Sequence, residues 1–285
     1  NGVVAEGVTQ TGQEVTAIVT ENMSSGATSV CHMAHLARAE VFPVDIGVAR
    51  PVMGANIIQR NLMRGTGDIA AGPAMTRAQA VAALEVGIHL ACDLKAQGYR
   101  LLATGEMGIG NTTTSSAVVS VLLGRDAAAV TGRGAGLSSD GLARKIRVIK
   151  RAIACNRPDP ADGVDVLWKV GGLDLAGLAG VFLGGAACRL PVLVDGFISA
   201  AAALVAAALC PEAKDYMLGS HASGEPAGKM VLDALGLTPF LYAGMCLGEG
   251  TGAVAVLPLL DMGLCVYGEM ASFEEIKVEA YRPLK

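Results

Sequence analysis

Two rhythms of apolar and polar positions run along this chain. Short apolar runs beside Gly or Asp, at residues 41–46, 100–104, 191–194 and 216–220, read as strands. Between them lie stretches with helical spacing. Thr11-x-x-Glu14 and Thr76-x-x-Gln79 are capping-box signatures, in which a hydroxyl takes a backbone N–H and the longer side chain reaches back. The second opens a helix with Val81, Leu84, Ile88, Ala91 and Leu94 on one face, stopping near Gly98. A further stripe, Leu142, Ile146, Ile149 and Ile153, is surrounded by Arg144, Arg147, Lys150 and Arg151, which are expected in water. Strands alternating with helices predict an α/β fold: a Rossmann-like, mostly parallel sheet flanked by helices, with ligands beyond the carboxyl ends of the strands. A smaller helical subdomain is expected beside it. Residues 156–163 (NRPDPADG) read as a surface connection, and no linker or repeat divides residues 1–285, so one domain is expected.

Composition narrows the class. Of the 285 residues 52% are hydrophobic and 17% charged, which excludes a disordered chain. The uncharged stretches 175–188 and 196–210 fall short of the roughly 18–20 residues that a spanning helix needs, so no membrane span is expected. A net charge of −4 gives no basic footprint for nucleic acid. Seven scattered cysteines without a C-x-x-C pair predict reduced thiols and a cytoplasmic setting. The 37 glycines, without a G-X-Y period, predict many tight turns and close backbone approaches to a ligand.

Three segments carry candidate chemistry. A strand running into Gly105-Glu106-Met107-Gly108-Ile109-Gly110, with Asn111-Thr112-Thr113 opening a helix, offers N–H groups and hydroxyls to an anion. A plain βα turn would look the same, but a carboxylate beside such a loop is costly unless it serves the substrate. TGRGAGLSSD at 131–140, followed by Lys145, is a second anion cradle or simply a loop with a solvated lysine. In Leu247-Gly248-Glu249-Gly250-Thr251-Gly252-Ala253, Glu249 is either the cap of the helix that follows or a general base. Asp45 and Asp195 stand at strand ends, where either could cap the next helix. His221 could touch a ligand at a strand end, and His89 reads as structural. Cys31, His32 and His35 lack a complementary pair of ligands elsewhere, so neither a metal nor another cofactor is expected.

Taken together, GVVAEGV (2–8), RGTGDIAAGPAM (64–75), GEMGIGNTT (105–113), GLARK (141–145), DGF (195–197) and LGEGTGA (247–253) resemble, in order, the nicotinate-nucleotide:dimethylbenzimidazole phosphoribosyltransferases. The resemblance covers nearly the whole chain. It implies a cytoplasmic homodimer in cobalamin nucleotide-loop assembly, moving phosphoribose from nicotinate mononucleotide to a benzimidazole-type base. It implies Glu249 as catalytic base and Glu106 as a pocket carboxylate that orients the incoming ring. Gly108, Asn111, Thr112, Thr113, Gly134 and Lys145 would hold phosphate and ribose, with Asp195, Ser223 and Gly224 as further lining. No base-contacting residue is carried over for 12–19, and Thr114 stands where relatives often have proline. Such proteins carry several dozen further residues before the position of Asn1, so an N-terminal helical segment and a first strand are expected to be missing here. Three alternatives remain: a homologue using a purine or phenol, a sugar or nucleoside kinase working through the 132–136 loop, and a nucleotide-binding regulator without turnover.

Overall fold

Three short parallel strands, each running into a turn that bears glycine or a polar side chain, organise the computed structural model, which describes residues 1–284. A 3-10 turn at Gly2–Glu6 precedes α1 (Glu14–Ser24) and α2 (Ser29–Leu36). β1 (Val44–Asp45) pairs in parallel with β2 (Ile58–Gln59), apart from the main sheet. After α3 (Arg77–Ala96) comes β3 (Leu102–Ala103), then α4 (Asn111–Leu122), α5 (Ala127–Val130), α6 (Ser139–Asn156), α7 (Gly163–Val170) and α8 (Leu173–Ala187). β4 (Val192–Val194), α9 (Phe197–Leu209), β5 (Met217–Gly219), α10 (Gly228–Leu235) and α11 (Thr251–Glu269) complete the chain. The main sheet has the order β3-β4-β5 and is wholly parallel, so the α/β expectation holds. The 41–46 run keeps only a two-residue strand, and its partner β2 was not foreseen.

Local chemistry explains the helices. Thr76 accepts from Gln79 N while the Gln79 side chain accepts from Thr76 N, the reciprocal cap expected at α3, which is worth about 1 kcal/mol. The other box does not form: α1 begins at Glu14 after Gln13, and the Thr11 carbonyl instead accepts from Thr9 Oγ1. The stripe on α6 is also rotated. Its buried face runs Gly141, Lys145, Val148, Ile149 and Ala152, so Lys145 points inward, while Leu142, Ile146 and Ile153 lie at the margin.

Small residues let α3 and α8 pack backbone to backbone. A Cβ on Gly87 would stand 2.0 Å from the Gly177 carbonyl, and one on Gly180 equally close to that of Leu84. At the same interface Cys92 and Cys188 are 5.9 Å apart at Cα and disulfide-bonded, which corrects the expectation of uniformly reduced thiols. The two cysteines are 96 residues apart and meet only because α3 and α8 pack together, which sequence spacing does not reveal. Within α8 and α9, the stretches 175–188 and 196–210 are largely buried protein helices. α11 alone among the described residues is long and apolar enough to cross a membrane. Its first turns, from Thr251 to Val256, are packed inside the protein, and Pro258 and Asp261 follow. Val254 joins Val30 and Ala34 of α2 in a small apolar cluster separate from the main core.

Candidate active site

Beyond the carboxyl ends of the strands lies a cleft with two lobes of about 350 and 300 Å³. Glu106, Met107, Gly108 and Glu249 line both. The larger lobe is mainly apolar, with Met23, Val41, Phe42, Leu90 and Leu101, and carries Gln13, Thr16 and Thr20 from α1 and its approach. Nothing in the local spacing singles out those three. The smaller lobe holds Asn111, Thr112, Gly134, Asp195, His221 and Ser223.

β3 delivers Glu106 to the junction of the lobes. Asn111 Nδ2 donates to Glu106 Oε2, and Oε1 lies 2.7 Å from where Gly248 would carry a Cβ. Burial pushes the Glu106 carboxyl up to about 8; the Asn111 hydrogen bond opposes this, and the charges of Asp174, Asp195 and Glu249 reinforce it. At neutral pH Glu106 is therefore a neutral acid, able to donate as well as accept. Next in the chain, α4 starts from Gly110 without a side-chain cap; the N–H groups of Asn111 and Thr113 donate to the Gly108 and Gly110 carbonyls, and Gly110, Asn111 and Thr112 line the smaller lobe. Lys145 reaches Thr112 from α6 and, buried behind it, lines neither lobe itself. It is only 1% exposed, and Nζ donates to Thr112 Oγ1 at 2.8 Å and to the Gly132 carbonyl at 3.1 Å. Burial brings its pKa down to about 8. The solvated-lysine alternative is thereby excluded. Gly134 lies against this pair, 3.6 Å from Lys145 Nζ to its would-be Cβ.

Glu249 is held differently. Its φ of +61° is left-handed, and Gly248 and Gly250 on either side are at +91° and +97°. A side-chain-bearing residue there stores on the order of 1–3 kcal/mol of strain, which is found mostly at functional positions. Glu249 does not cap α11. Its Oε2 accepts from Val30 N at 3.1 Å, in the first turn of α2. The α11 start is served by Asp195, whose Oδ1 accepts from Ala253 N at 2.9 Å across 58 residues of sequence. Burial raises Asp195 to about 6, against the N–H groups of Ala253, Gly250, Gly252 and Gly196. Asp195 thus ties the end of β4 to the loop carrying Glu249, rather than capping its own helix α9. Buried His221, lowered in pKa by that burial, accompanies it: its Nδ1 lies 3.0 Å from Ser220 Oγ and against Gly252.

The remaining expected positions divide. Ser223 lines the smaller lobe, whereas Gly224 is exposed and donates its N–H to the Met245 carbonyl at 3.0 Å. Thr113 is fully buried with an unpartnered hydroxyl and lines neither lobe. Asp45 lines neither lobe itself, but through Gly47 N and Val48 N it organises a turn that lines the larger one. His89, His32 and His35 are exposed on α3 and α2. Two carboxylates escaped the sequence reading: Asp174 in the first turn of α8, and Glu225 beside Ser223. The acid within SGEP was the available signal for the second.

The parallel α/β sheet thus places a mainly apolar lobe and a polar lobe side by side beyond its carboxyl ends. The chain belongs to the phosphoribosyltransferase family whose model matches residues 1–278. It is 49% identical over 285 residues to the nicotinate-nucleotide–dimethylbenzimidazole phosphoribosyltransferase of Ruminiclostridium cellulolyticum, covering 100% of this chain and 81% of that one. The protein of the same name from Escherichia coli O1:K1 / APEC is 46% identical over 280 residues, covering 98% and 77%. Among solved structures, CobT from Thermus thermophilus superposes with a TM-score of 0.94 at 40% identity, covering 99% of this chain and 84% of that one. Family membership sets the kinase alternative aside.

Proposed function

We propose that this protein transfers the 5-phosphoribosyl group of nicotinate mononucleotide to 5,6-dimethylbenzimidazole, releasing nicotinate and α-ribazole 5′-phosphate. The single observation that carries this reading is the meeting, at Glu249 and Glu106, of a mainly apolar lobe and a polar lobe that has Thr112 and Gly134 on its wall and Lys145 behind them. The nucleotide phosphate lies against the α4 N-terminus, Thr112, Gly134 and Lys145, which fixes the anomeric carbon at the junction. The flat base fills the apolar lobe. A benzimidazole nitrogen forms the new bond to the anomeric carbon as the pyridinium C–N bond breaks, and that bonding pair returns to the nicotinate ring. Glu249 takes the benzimidazole N–H proton, and attack from the opposite face turns the β-riboside into an α-riboside. Nicotinate departs from a ring that is already cationic, so it needs no acid. Glu106, as a neutral acid, orients the incoming ring.

Incubation with nicotinate mononucleotide and a panel of benzimidazoles, purines and phenols, with products read by mass, tests this reading. Phosphoribosylated dimethylbenzimidazole with equimolar nicotinate is the expected result; bound nucleotide without turnover would instead support the regulator. We also infer a homodimer formed through the exposed second half of α11, where Met262, Leu264, Val266 and Tyr267 face outward. Sedimentation of wild type and a Leu264→Glu, Val266→Glu variant checks it.

A further inference from the structure

Glu225 stands against the phosphate lobe without a role in the chemistry above. Its Oε2 is buried and accepts no hydrogen bond. A Cβ on Gly132 would fall 1.8 Å from that oxygen, so the carboxylate rests directly on the glycine whose carbonyl accepts from Lys145. Lys145 in turn commits two of its three N–H bonds to neutral acceptors, Thr112 Oγ1 and Gly132 O. No carboxylate pairs with it directly among the described residues. A buried cation and a half-buried carboxylate with one buried oxygen thus both touch Gly132 without forming an ion pair. Burying either alone is costly, and each offsets the cost of the other.

We propose that Glu225 is a positioning residue for Lys145: from across Gly132, its carboxylate keeps the buried ammonium charged and leaves the third N–H for a phosphate oxygen. This rests on the phosphate lobe assigned above. Glu106, Arg133, Asp195, His221, Cys246 and Glu249 also line that lobe, yet Glu225 is the charge that supports the Lys145 ammonium against burial. On the helices packed around α6, Asp126 is already paired with Lys150 and Asp165 with Lys169. On α6 itself Arg144 donates to the Gly7 carbonyl, and Asp140 lies exposed in its first turn. The compensating charge for Lys145 therefore comes from Glu225.

The test is an NMR titration of the Lys145 side chain in ¹³C-lysine-labelled full chain, assigned with Lys145→Arg and repeated in Glu225→Gln and Glu225→Asp. Wild type should titrate near the value of about 8 that burial gives it. Glu225→Gln should lower the midpoint by about one pH unit, the smaller end of what a neighbouring opposite charge does. Glu225→Asp, charged but one methylene shorter, should fall between them. Nicotinate mononucleotide should then bind Glu225→Gln about fivefold more weakly at pH 8 and nearly normally at pH 6. An unchanged midpoint in Glu225→Gln overturns the proposal. If that variant fails to fold, an unchanged midpoint in Glu225→Asp does so. The titration needs no nucleotide: a shifted midpoint in a protein that binds no nicotinate mononucleotide would uphold the Glu225–Lys145 coupling and sink the function proposed above.

Discussion

Two loops present a glutamate between glycines to the same cleft, and they treat it in opposite ways. Glu106 follows β3, is half-buried at the junction of the two lobes, and has its carboxyl pushed up to about 8 by burial. Glu249 precedes α11 in a left-handed backbone and receives an N–H from another helix, α2. The loops touch: a Cβ on Gly105 would lie 2.4 Å from the Glu249 carbonyl. Two acids of one type, on touching loops, are thereby set apart: burial keeps a proton on one, and the other offers an oxygen to a donated N–H. That contrast is what an enzyme needs when one carboxyl must accept a proton and its neighbour must hold one.

The strongest way to break the comparison is Glu249→Gln, which keeps the shape and removes the basic oxygen. Single-turnover rates should fall about 10²–10⁴-fold while nicotinate mononucleotide still binds. Turnover within threefold of wild type by a folded variant would move the base role to Glu106. Lys145→Ala comes next. It should weaken nucleotide binding by roughly 1.5–3 kcal/mol, about 10–150-fold, with a much smaller change in kcat, since a phosphate contact serves ground and transition states alike.

Glu106→Gln sharpens the contrast. Gln imitates the neutral acid, so kcat at pH 6–7 should stay within about tenfold of wild type, and any alkaline fall in kcat near pH 8 should disappear. It is to be read at saturating nucleotide, because Lys145 imposes its own alkaline limit on binding. The stability sign is fixed too. Between about 4.5 and 8 the folded protein keeps a proton on Glu106 that the unfolded chain has lost, so wild-type stability falls with rising pH. The difference in Tm between Glu106→Gln and wild type should therefore grow in the variant's favour across that window. The smallest effect belongs to Asp195→Ala, which removes the acceptor at the α11 start and costs about 0.5–2 kcal/mol, read in thermal unfolding. Because Asp195 is itself raised to about 6 from an unfolded value of 3.8, wild-type stability falls with rising pH between the two, so that loss should be smaller above pH 6 than below pH 3.8.

Local grammar made part of this legible. The Thr76 box, the strand entering GEMGIG, and Asn111 and Thr112 at the start of α4 all follow from residues within a few positions of one another. Thr11 failed as a cap although its spacing was right, because the chain bends there and α1 starts later. What the sequence could not show are partners brought together only by folding. Asp195 caps a helix 58 residues away, Val30 meets Glu249 across 219, and Cys92 meets Cys188 across 96. Lys145 lay in between: the stripe read from the sequence, Leu142, Ile146, Ile149 and Ile153, sits one position round from the true buried face, and a charged residue reads as solvated until something is found to face it.

Three helix N-termini converge on this cleft, and each is a fixed fractional positive charge. α11 is answered by Asp195 and α2 by Glu249, both anions built into the chain. α4 has no side chain of its own to answer it and has Lys145 beside it as well. In the function proposed above its complement is the phosphate of the nucleotide, so an uncharged riboside would leave this positive focus unmatched. Discrimination for the phosphorylated nucleoside is in this sense a neutralisation that the backbone has prepared before any hydroxyl or ring is recognised.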